Sequence, residues 1–252
     1  MKISPNHPRF RSLKTREQLV QGFQSGIVAS QGLIAQGRGE AFDYMLGEVT
    51  PKSSRLATKA ASALLLGAKS PVISINGNTA ALVARDVVKL AHSVPAELEV
   101  NLFHRSLARE RRIASLLKRN GADRVLGVDS KTKVRIRGVA SPRRSVDAQG
   151  IGNADVVLIP LEDGDRAEAL RKAGKAVIAI DLNPMSRTSR AATVTIVDNI
   201  IRAIPELLRI TEKMKPLSRS RLGAIASSFD NEKNLARAMQ DMIQYMQGWT
   251  WT

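Results

Sequence analysis

The sequence predicts an α/β fold, a mainly parallel sheet with helices on both faces and extra helices at the N- and C-terminal ends. Three observations carry that expectation. Apolar runs of strand length, such as Pro71-Val72-Ile73-Ser74-Ile75, recur along the middle of the chain and are apolar on both faces, as strands covered on two sides are. Helical stretches opened by capping residues separate several of these runs, which is the rhythm of crossover units. A composition of 43% hydrophobic and 25% charged residues over 252 positions is that of a folded chain. At this length roughly three quarters of the unfolded surface can be buried. A single domain is expected over residues 1–252, with a helical part at 1–70, an α/β core at 71–200 that carries a basic loop at 130–153, and C-terminal helices at 201–252.

The elements follow in order. Residues 15–36 place Leu19, Val20, Phe23, Ile27, Val28, Leu33 and Ile34 near helical spacing, while Gly22, Gly26 and Gly32 mark where this N-terminal helix is open to interruption. Residues 51–66 are rich in Ala and Leu and open on Thr50-Pro51, a cap followed by a first-turn proline. The strand at 71–75 ends at Asn76-Gly77-Asn78, after which Thr79 opens a helix over 80–92. The same rhythm gives a strand at 98–103, a helix at 106–120 and a strand at 124–128. Further strands are predicted at 155–161, 176–182 and 192–197, with a helix over 166–173. Residues 200–214, 219–228 and 232–246 read as helices. Residues 130–153 break the rhythm: Lys131, Lys133, Arg135, Arg137, Arg143 and Arg144 stand among Gly and Pro, which predicts a long surface loop, solvated on the favoured reading and a lid over substrate on the other.

Composition closes several doors. With no cysteine there is no disulfide framework, thiolate nucleophile or zinc ribbon, and three histidines without ligand spacing offer no metal cage. No apolar stretch suits a signal peptide or a membrane span, so a soluble cytoplasmic protein with no membrane partner is expected. The net charge is +16, with 25 arginines against 14 lysines. Guanidinium forks suit phosphate and carboxylate oxygens, so the bias fits either nucleic acid or a small polyanionic ligand. Aromatic residues make up only 4% of the chain, which leaves few platforms for stacked bases.

Four clusters of residues have the chemistry of a site. Asn76-Gly77-Asn78-Thr79 lies at a strand-to-helix junction, where unpaired N–H groups and the helix dipole favour an anion; an ordinary Asn-Gly turn explains it equally well. In Gly37-Arg38-Gly39-Glu40-Ala41-Phe42-Asp43-Tyr44 the flanking glycines clear space around Arg38, although a helix C-cap at Gly37 is the plainer alternative. Two strand ends, Glu162-Asp163-Gly164-Asp165-Arg166 and Asp181-Leu182-Asn183 with Arg187-Thr188, fall where open parallel sheets bind ligands. One of Asp163 and Asp165 is expected to cap the helix that follows. Finally, Asp198-Asn199-Ile200 is again a strand end running into a helix. There is no phosphate-loop signature, no well-placed dinucleotide fingerprint, no nucleophile elbow and no protein-kinase set, so an ATP site would have to be unconventional.

Taken in series, these blocks resemble the archaeal phosphopantothenate synthetase family, the 4-phosphopantoate–beta-alanine ligases. The resemblance rests on His7-Pro8-Arg9, on the Gly37 to Tyr44 block, Asn76-Gly77-Asn78, Asn101-Leu102-Phe103 and Ala154-Asp155-Val156-Val157 through Arg166. It continues in Asp181-Leu182-Asn183-Pro184 and Thr195-Ile196-Val197-Asp198-Asn199. It implies a homodimer with a Rossmann-like core that joins 4-phosphopantoate to beta-alanine while ATP goes to AMP and pyrophosphate through an acyl-adenylate, a step of coenzyme A synthesis. By the family pattern Arg16, Arg38, Asp181, Leu182, Asn183, Arg187, Thr188, Asn199 and Ile200 match ATP contacts. Phosphopantoate is assigned to Asn76, Gly77, Asn78 and Arg105, with His7 and Arg9 beside it. Arg38 and Arg187 are expected to stabilise the charge that develops at the α-phosphate, together with magnesium whose ligands the sequence does not identify. His104 departs from the family, where tyrosine is the expected residue. Two other classes remain as alternatives: a basic nucleic-acid-binding protein, and an acyl-adenylating ligase for another small acid.

Overall fold

The computed structural model describes residues 4, 6, 7, 9–128 and 132–250. Pro8, Ser130, Lys131, Trp251 and Thr252 lie outside the described residues. The N-terminal helical stretch is two helices, α1 (Phe10–Gln24) and α2 (Ser30–Met45). They part where Gly26 takes a left-handed φ of +69° and the N–H groups of Ile27 and Val28 turn back to the Gly22 carbonyl at 2.8 and 3.0 Å. Gly37 lies inside α2, so it caps nothing, and the bracketing of Arg38 is not a helix-end pattern. In α3 (Lys52–Gly67) Pro51 takes the N-cap position. Thr50 does not cap it; its hydroxyl instead donates to Asp198 at 2.6 Å.

The core begins with β1 (Pro71–Ile75), α4 (Gly77–Ser93), β2 (Glu97–Val100) and α5 (Leu107–Arg119). The start of α4 is earlier than Thr79: Asn76 is the N-cap, its Oδ1 accepting from the Thr79 N–H at 3.0 Å. The strand expected at 124–128 does not form. Only Leu126 pairs, with Glu99, because Gly127 then adopts a φ of +84° and turns the chain away.

The basic stretch is the larger correction. It is not a solvated loop but a hairpin, β3 (Lys133–Arg135) antiparallel to β4 (Ser145–Asp147), with a single 3-10 turn at Pro142–Arg144. The alternation Lys133-Val134-Arg135-Ile136 is a strand signal that the density of charge conceals. Ile136, Val139, Val146 and Ile151 bury their side chains against the sheet, and Arg143 is buried with them.

Beyond it lie β5 (Val156–Pro160), α6 (Gly164–Lys172), β6 (Ala176–Ile180), α7 (Arg187–Ala191) and β7 (Val194–Ile196). The strands pair in parallel in the order β2-β1-β5-β6-β7. Numbered within this sheet the order is 2-1-3-4-5, a doubly wound topology whose switch point falls between β1 and β5. Alternate residues serve opposite faces. Ile73, Ile75, Leu158, Ile178 and Ile180 meet the helical face built on α4 and α8 (Ile200–Met214). Val72, Val157, Ile159, Val177 and Ala179 meet α6 and the hairpin. Each fully buried Leu or Ile of these two layers contributes roughly 1.5–3 kcal/mol.

The C-terminal helices α9 (Arg219–Ser227) and α10 (Asn231–Gln247) complete the chain. The first residue of α10 covers the free edge of β7, since Asn231 accepts from the Thr195 N–H at 2.8 Å and donates to the Ser189 carbonyl at 2.9 Å. Among the described residues no helix is long and apolar enough to cross a membrane.

Candidate functional site

A cavity of about 580 Å³ opens at the carboxyl ends of β1, β5, β6 and β7, beyond the switch point. Its walls are the starts of the following helices. Asn76, Asp163, Ser186 and Asn199 hold the N-cap positions of α4, α6, α7 and α8, and all four line the cavity. Asn76, Ser186 and Asn199 cap with their side chains, at 3.0, 2.9 and 3.3 Å. Asp163 makes no such bond; its carboxylate receives Arg143 at 2.8 Å. Helix starts leave N–H groups unpaired and carry a partial positive charge, so several converging on one cleft make a seat for a polyanion.

Close backbone approach holds these helix starts together. A Cβ on Gly164 would stand 2.4 Å from the Arg187 Cβ, and one on Gly77 2.5 Å from the Ile27 carbonyl oxygen. Asn76 spans the switch point, its amide donating to the carbonyls of Pro160 at 2.9 Å and Leu161 at 3.1 Å. Leu161, at a φ of +53°, is a non-glycine residue in the left-handed region, which marks a strained turn at the mouth of the cleft.

Most residues singled out in the sequence meet here. Arg38, Asn76, Gly77, Asn78, Asp181, Leu182, Asn183, Arg187, Thr188, Asn199 and Ile200 all line the cavity. Arg38 is exposed from the middle of α2 and has no hydrogen bond or ion pair among the described residues. Arg187 is held by Glu168 at 3.0 Å. The Asp181 carboxyl is pushed up by burial, against hydrogen bonds from Ser186 and the Asn183 N–H and the nearby charge of Arg38. The side chains of Leu182 and Ile200 belong to the core, so they offer a ligand an apolar wall and their backbone. Asn199 is fixed from behind, its amide donating to Asp43 at 2.8 Å. Arg202 spans Asp43 and Asp198, and Asp198 is driven up by burial despite Arg202 and Thr50.

His7, Arg9 and Arg16 line a neighbouring cavity of about 270 Å³, which shares Gln36 and Asn199 with the first. There Arg16 meets Glu40 through Nε at 2.9 Å, and Tyr44 donates to Glu40 at 2.6 Å. Burial alone would raise Glu40, but Arg16 and Tyr44 outweigh it and hold the carboxyl below its ordinary range.

Arg105 is not brought to the cleft. Its guanidinium is taken by Glu110 at 2.5 Å and the Gly127 carbonyl at 3.3 Å. Phe103, His104, Arg109 and Arg143 line the cavity in its place. Behind them Glu162 forms ion pairs with both Arg143 and Arg166. Both guanidiniums are pushed down to about 10, chiefly by burial. The sequence marked Glu162, Asp163 and Arg166 as one block but gave no sign that Arg143 joins them, because Arg143 and Glu162 belong to different elements. Among the described residues no group of three or more histidines and carboxylates is placed to hold a metal ion.

Comparison with known proteins shows the family. The profile of the phosphopantothenate/pantothenate synthetase family matches residues 53–245. The chain is 49% identical over 236 residues to a protein of Thermococcus onnurineus (strain NA1) named 4-phosphopantoate–beta-alanine ligase, covering 93% of this chain and 90% of that one. A protein of the same name from Methanosarcina mazei (strain Goe1) is 46% identical over 244 residues, 97% of this chain and 95% of the relative. A third, from Methanospirillum hungatei JF-1, is 50% identical over 212 residues, or 84% and 86% of the two chains.

Proposed function

The chain belongs to the phosphopantothenate/pantothenate synthetase family, and from that membership we propose that it ligates 4-phosphopantoate to beta-alanine, with ATP going to AMP and pyrophosphate, in coenzyme A synthesis. The observation that carries the proposal is the convergence of four helix starts, Arg38 and Arg187 on one cleft. That surplus of positive potential suits a triphosphate and a phosphorylated acid held side by side.

In this reading the carboxylate oxygen of 4-phosphopantoate attacks the α-phosphorus of ATP. Pyrophosphate leaves and the acyl-adenylate remains. The amine of beta-alanine then attacks the acyl carbon, AMP departs, and the proton of the amine passes to solvent. Substrate oxygen and nitrogen supply both nucleophiles, so the protein has to orient and to stabilise charge.

Each residue has a part that its position supports. Arg38 has its guanidinium free for a ligand, and Arg187 stands at the first turn of α7 beside the N–H groups of that turn. Both are suited to the charge that builds on the phosphates. Asp181 and Asn183 follow β6, where a carboxylate accepts from a ribose hydroxyl and an amide meets the base. Thr188, whose hydroxyl donates to the Glu162 carbonyl at 2.8 Å, ties the starts of α6 and α7. Asn199 and Ile200 present the start of α8, and Asn76, Gly77 and Asn78 that of α4. Arg16, with His7 and Arg9, guards the adjoining cavity through Glu40 and Tyr44.

Magnesium suits this site as a companion of the triphosphate, since it keeps several waters and takes one or two carboxylates besides phosphate oxygens. Asp163 and Asp181 are the aspartates that line the cavity. When bound, the ion offsets the charge of the departing pyrophosphate. The protein is proposed to act in the cytoplasm as a homodimer, and the exposed Ile243, Tyr245, Met246 and Trp249 at the end of α10 offer an apolar surface for the second copy.

The test is product identity. AMP should form only when ATP, 4-phosphopantoate and beta-alanine are all present. Formation of ADP, or of AMP without the phosphorylated acid, overturns the reading.

A further inference from the structure

We propose that Arg143, delivered by the β3–β4 hairpin, and Arg109 of α5 form the anion subsite that seats the phosphoryl group of the acid substrate, and so select a phosphorylated acid over its free alcohol. Nothing local in the sequence marks either residue; their chemistry emerges from how each guanidinium is used.

Arg143 is 6% exposed yet lines the cleft. All its side-chain bonds to the protein run through Nη1, which meets Glu162 and Asp163. Its Nε is buried and has no partner among the described residues. Arg109 repeats the pattern: Nη1 donates to the His104 carbonyl at 2.6 Å, while Nε is buried and unpartnered. Neither side chain has a hydrogen bond from Nη2 among the described residues. Two arginines lining one cleft thus keep their Nε–Nη2 edges unpaired, the edge that grips a phosphate or carboxylate with two parallel hydrogen bonds. A buried donor without an acceptor is costly, so two of them beside a cleft point to a ligand that satisfies them.

The supports are fixed. Glu162 lies between Arg143 and Arg166, and Arg166, wholly buried, is anchored to Ser74 at 3.1 Å. Asn101 donates to the Ser145 carbonyl at 3.1 Å and so pins the hairpin to the end of β2. Phe103 places its ring 5.9 Å from the Arg143 guanidinium carbon and walls one side. Arg109 and Arg143 both line the cleft, while the charge of Arg166 behind them is met by Glu99 as well as Glu162, so Glu162 is shared and the unpaired Nε–Nη2 edges are what a phosphomonoester would satisfy. Arg38 and Arg187 stand on other elements, α2 and α7, which leaves them to the nucleotide.

The identity of the acid rests on the functional reading above; the subsite does not. Calorimetric titration of the wild type and of Arg109→Met, Arg143→Met and Arg143→Lys with 4-phosphopantoate, with pantoate and with ATP separates the two. Arg109→Met should weaken 4-phosphopantoate by about 10- to 100-fold, the range for losing hydrogen bonds between charged groups, while ATP and pantoate change by less than about twofold. Arg143→Lys keeps the charge but not the fork, and should fall between Arg143→Met and wild type. In turnover the loss should appear in the KM for the phosphorylated acid, with kcat less affected. If Arg143→Met does not fold, Arg109→Met decides the matter alone. A change in 4-phosphopantoate affinity below about threefold for Arg109→Met, or an equal loss of ATP, overturns the proposal. Should the wild type neither bind 4-phosphopantoate nor form AMP, the functional reading fails. The subsite is then judged by inorganic phosphate, which the wild type must bind more tightly than Arg109→Met; equal binding overturns it.

Discussion

Replacing Asn76 tests in one position how the fold builds the site. Its side chain is 9% exposed and makes four hydrogen bonds. Oδ1 caps α4 by accepting from the Thr79 N–H and hydroxyl, both at 3.0 Å, and Nδ2 donates to the carbonyls of Pro160 and Leu161. Truncation to alanine removes the cap, worth about 1 kcal/mol, and two neutral hydrogen bonds worth about 1 kcal/mol each. The sum is about 3 kcal/mol, a sizeable part of the roughly 5–15 kcal/mol that holds a domain folded. Asn76→Asp keeps the cap acceptor but turns the donor into an acceptor against two carbonyls. It should therefore lose the donor half, about 2 kcal/mol, and more from repulsion. Urea unfolding followed by circular dichroism reads both variants. With a slope near 3 kcal/mol/M, Asn76→Ala should move the midpoint down by about 1 M at unchanged slope. A midpoint shift under about 0.3 M for Asn76→Ala, or an Asn76→Asp variant as stable as wild type, would refute the reasoning.

Three further outcomes are expected. Arg38→Ala should cut turnover by at least about 100-fold while leaving the unfolding midpoint nearly in place, because among the described residues Arg38 makes no hydrogen bond or ion pair and only its charge reaches Asp181; steady-state AMP formation and a thermal melt check the two halves. Arg202→Met should destabilise by about 3–5 kcal/mol, since it strands Asp43 and Asp198 together in a buried site; restoration by Arg202→Lys to near wild type would contradict the need for a guanidinium that bridges both. For Glu99 the sign is set by burial, which raises its pKa against hydrogen bonds from the Ile151 and Asp147 N–H groups. A carboxyl whose folded pKa lies above its unfolded value stabilises most below the unfolded value and loses that contribution as pH rises through the folded one. Stability of wild type relative to Glu99→Gln should thus fall as pH rises from 4.5 upward, measured by urea midpoints across pH; a rising or flat difference removes burial as the dominant influence.

What the sequence revealed was local. Strand runs apolar on both faces announced the sheet, and the polar residues Asn76, Asp181 and Asn199 that close those runs lie at the carboxyl ends where the cleft opens. Topology carries them the rest of the way, because a parallel sheet aligns its strand ends on one edge. What escaped was long-range. Arg143 sits in a segment whose charges look solvated, yet its guanidinium is buried through an ion pair with a glutamate on another element. Nothing within a short window distinguishes it from Arg144 beside it, which stays exposed. Arg105 and Arg109 show the same limit on α5 and its approach: four residues apart, one is consumed by Glu110 and the other lines the cleft.

The division of labour among the arginines follows from how each is buried. An arginine on the surface of a helix, such as Arg38, keeps its hydration in the free protein and is attracted to any anion, a character that suits the proposed part in steering and charge development. One fixed in the interior by carboxylates, such as Arg143, has already lost its water and its freedom, and it keeps one edge for a ligand of defined shape. On the proposed reading the first kind supplies rate and the second discrimination. The hairpin that sequence composition makes look dispensable is then the element through which the protein distinguishes a phosphorylated acid from an alcohol, and its removal should cost selectivity before it costs nucleotide binding.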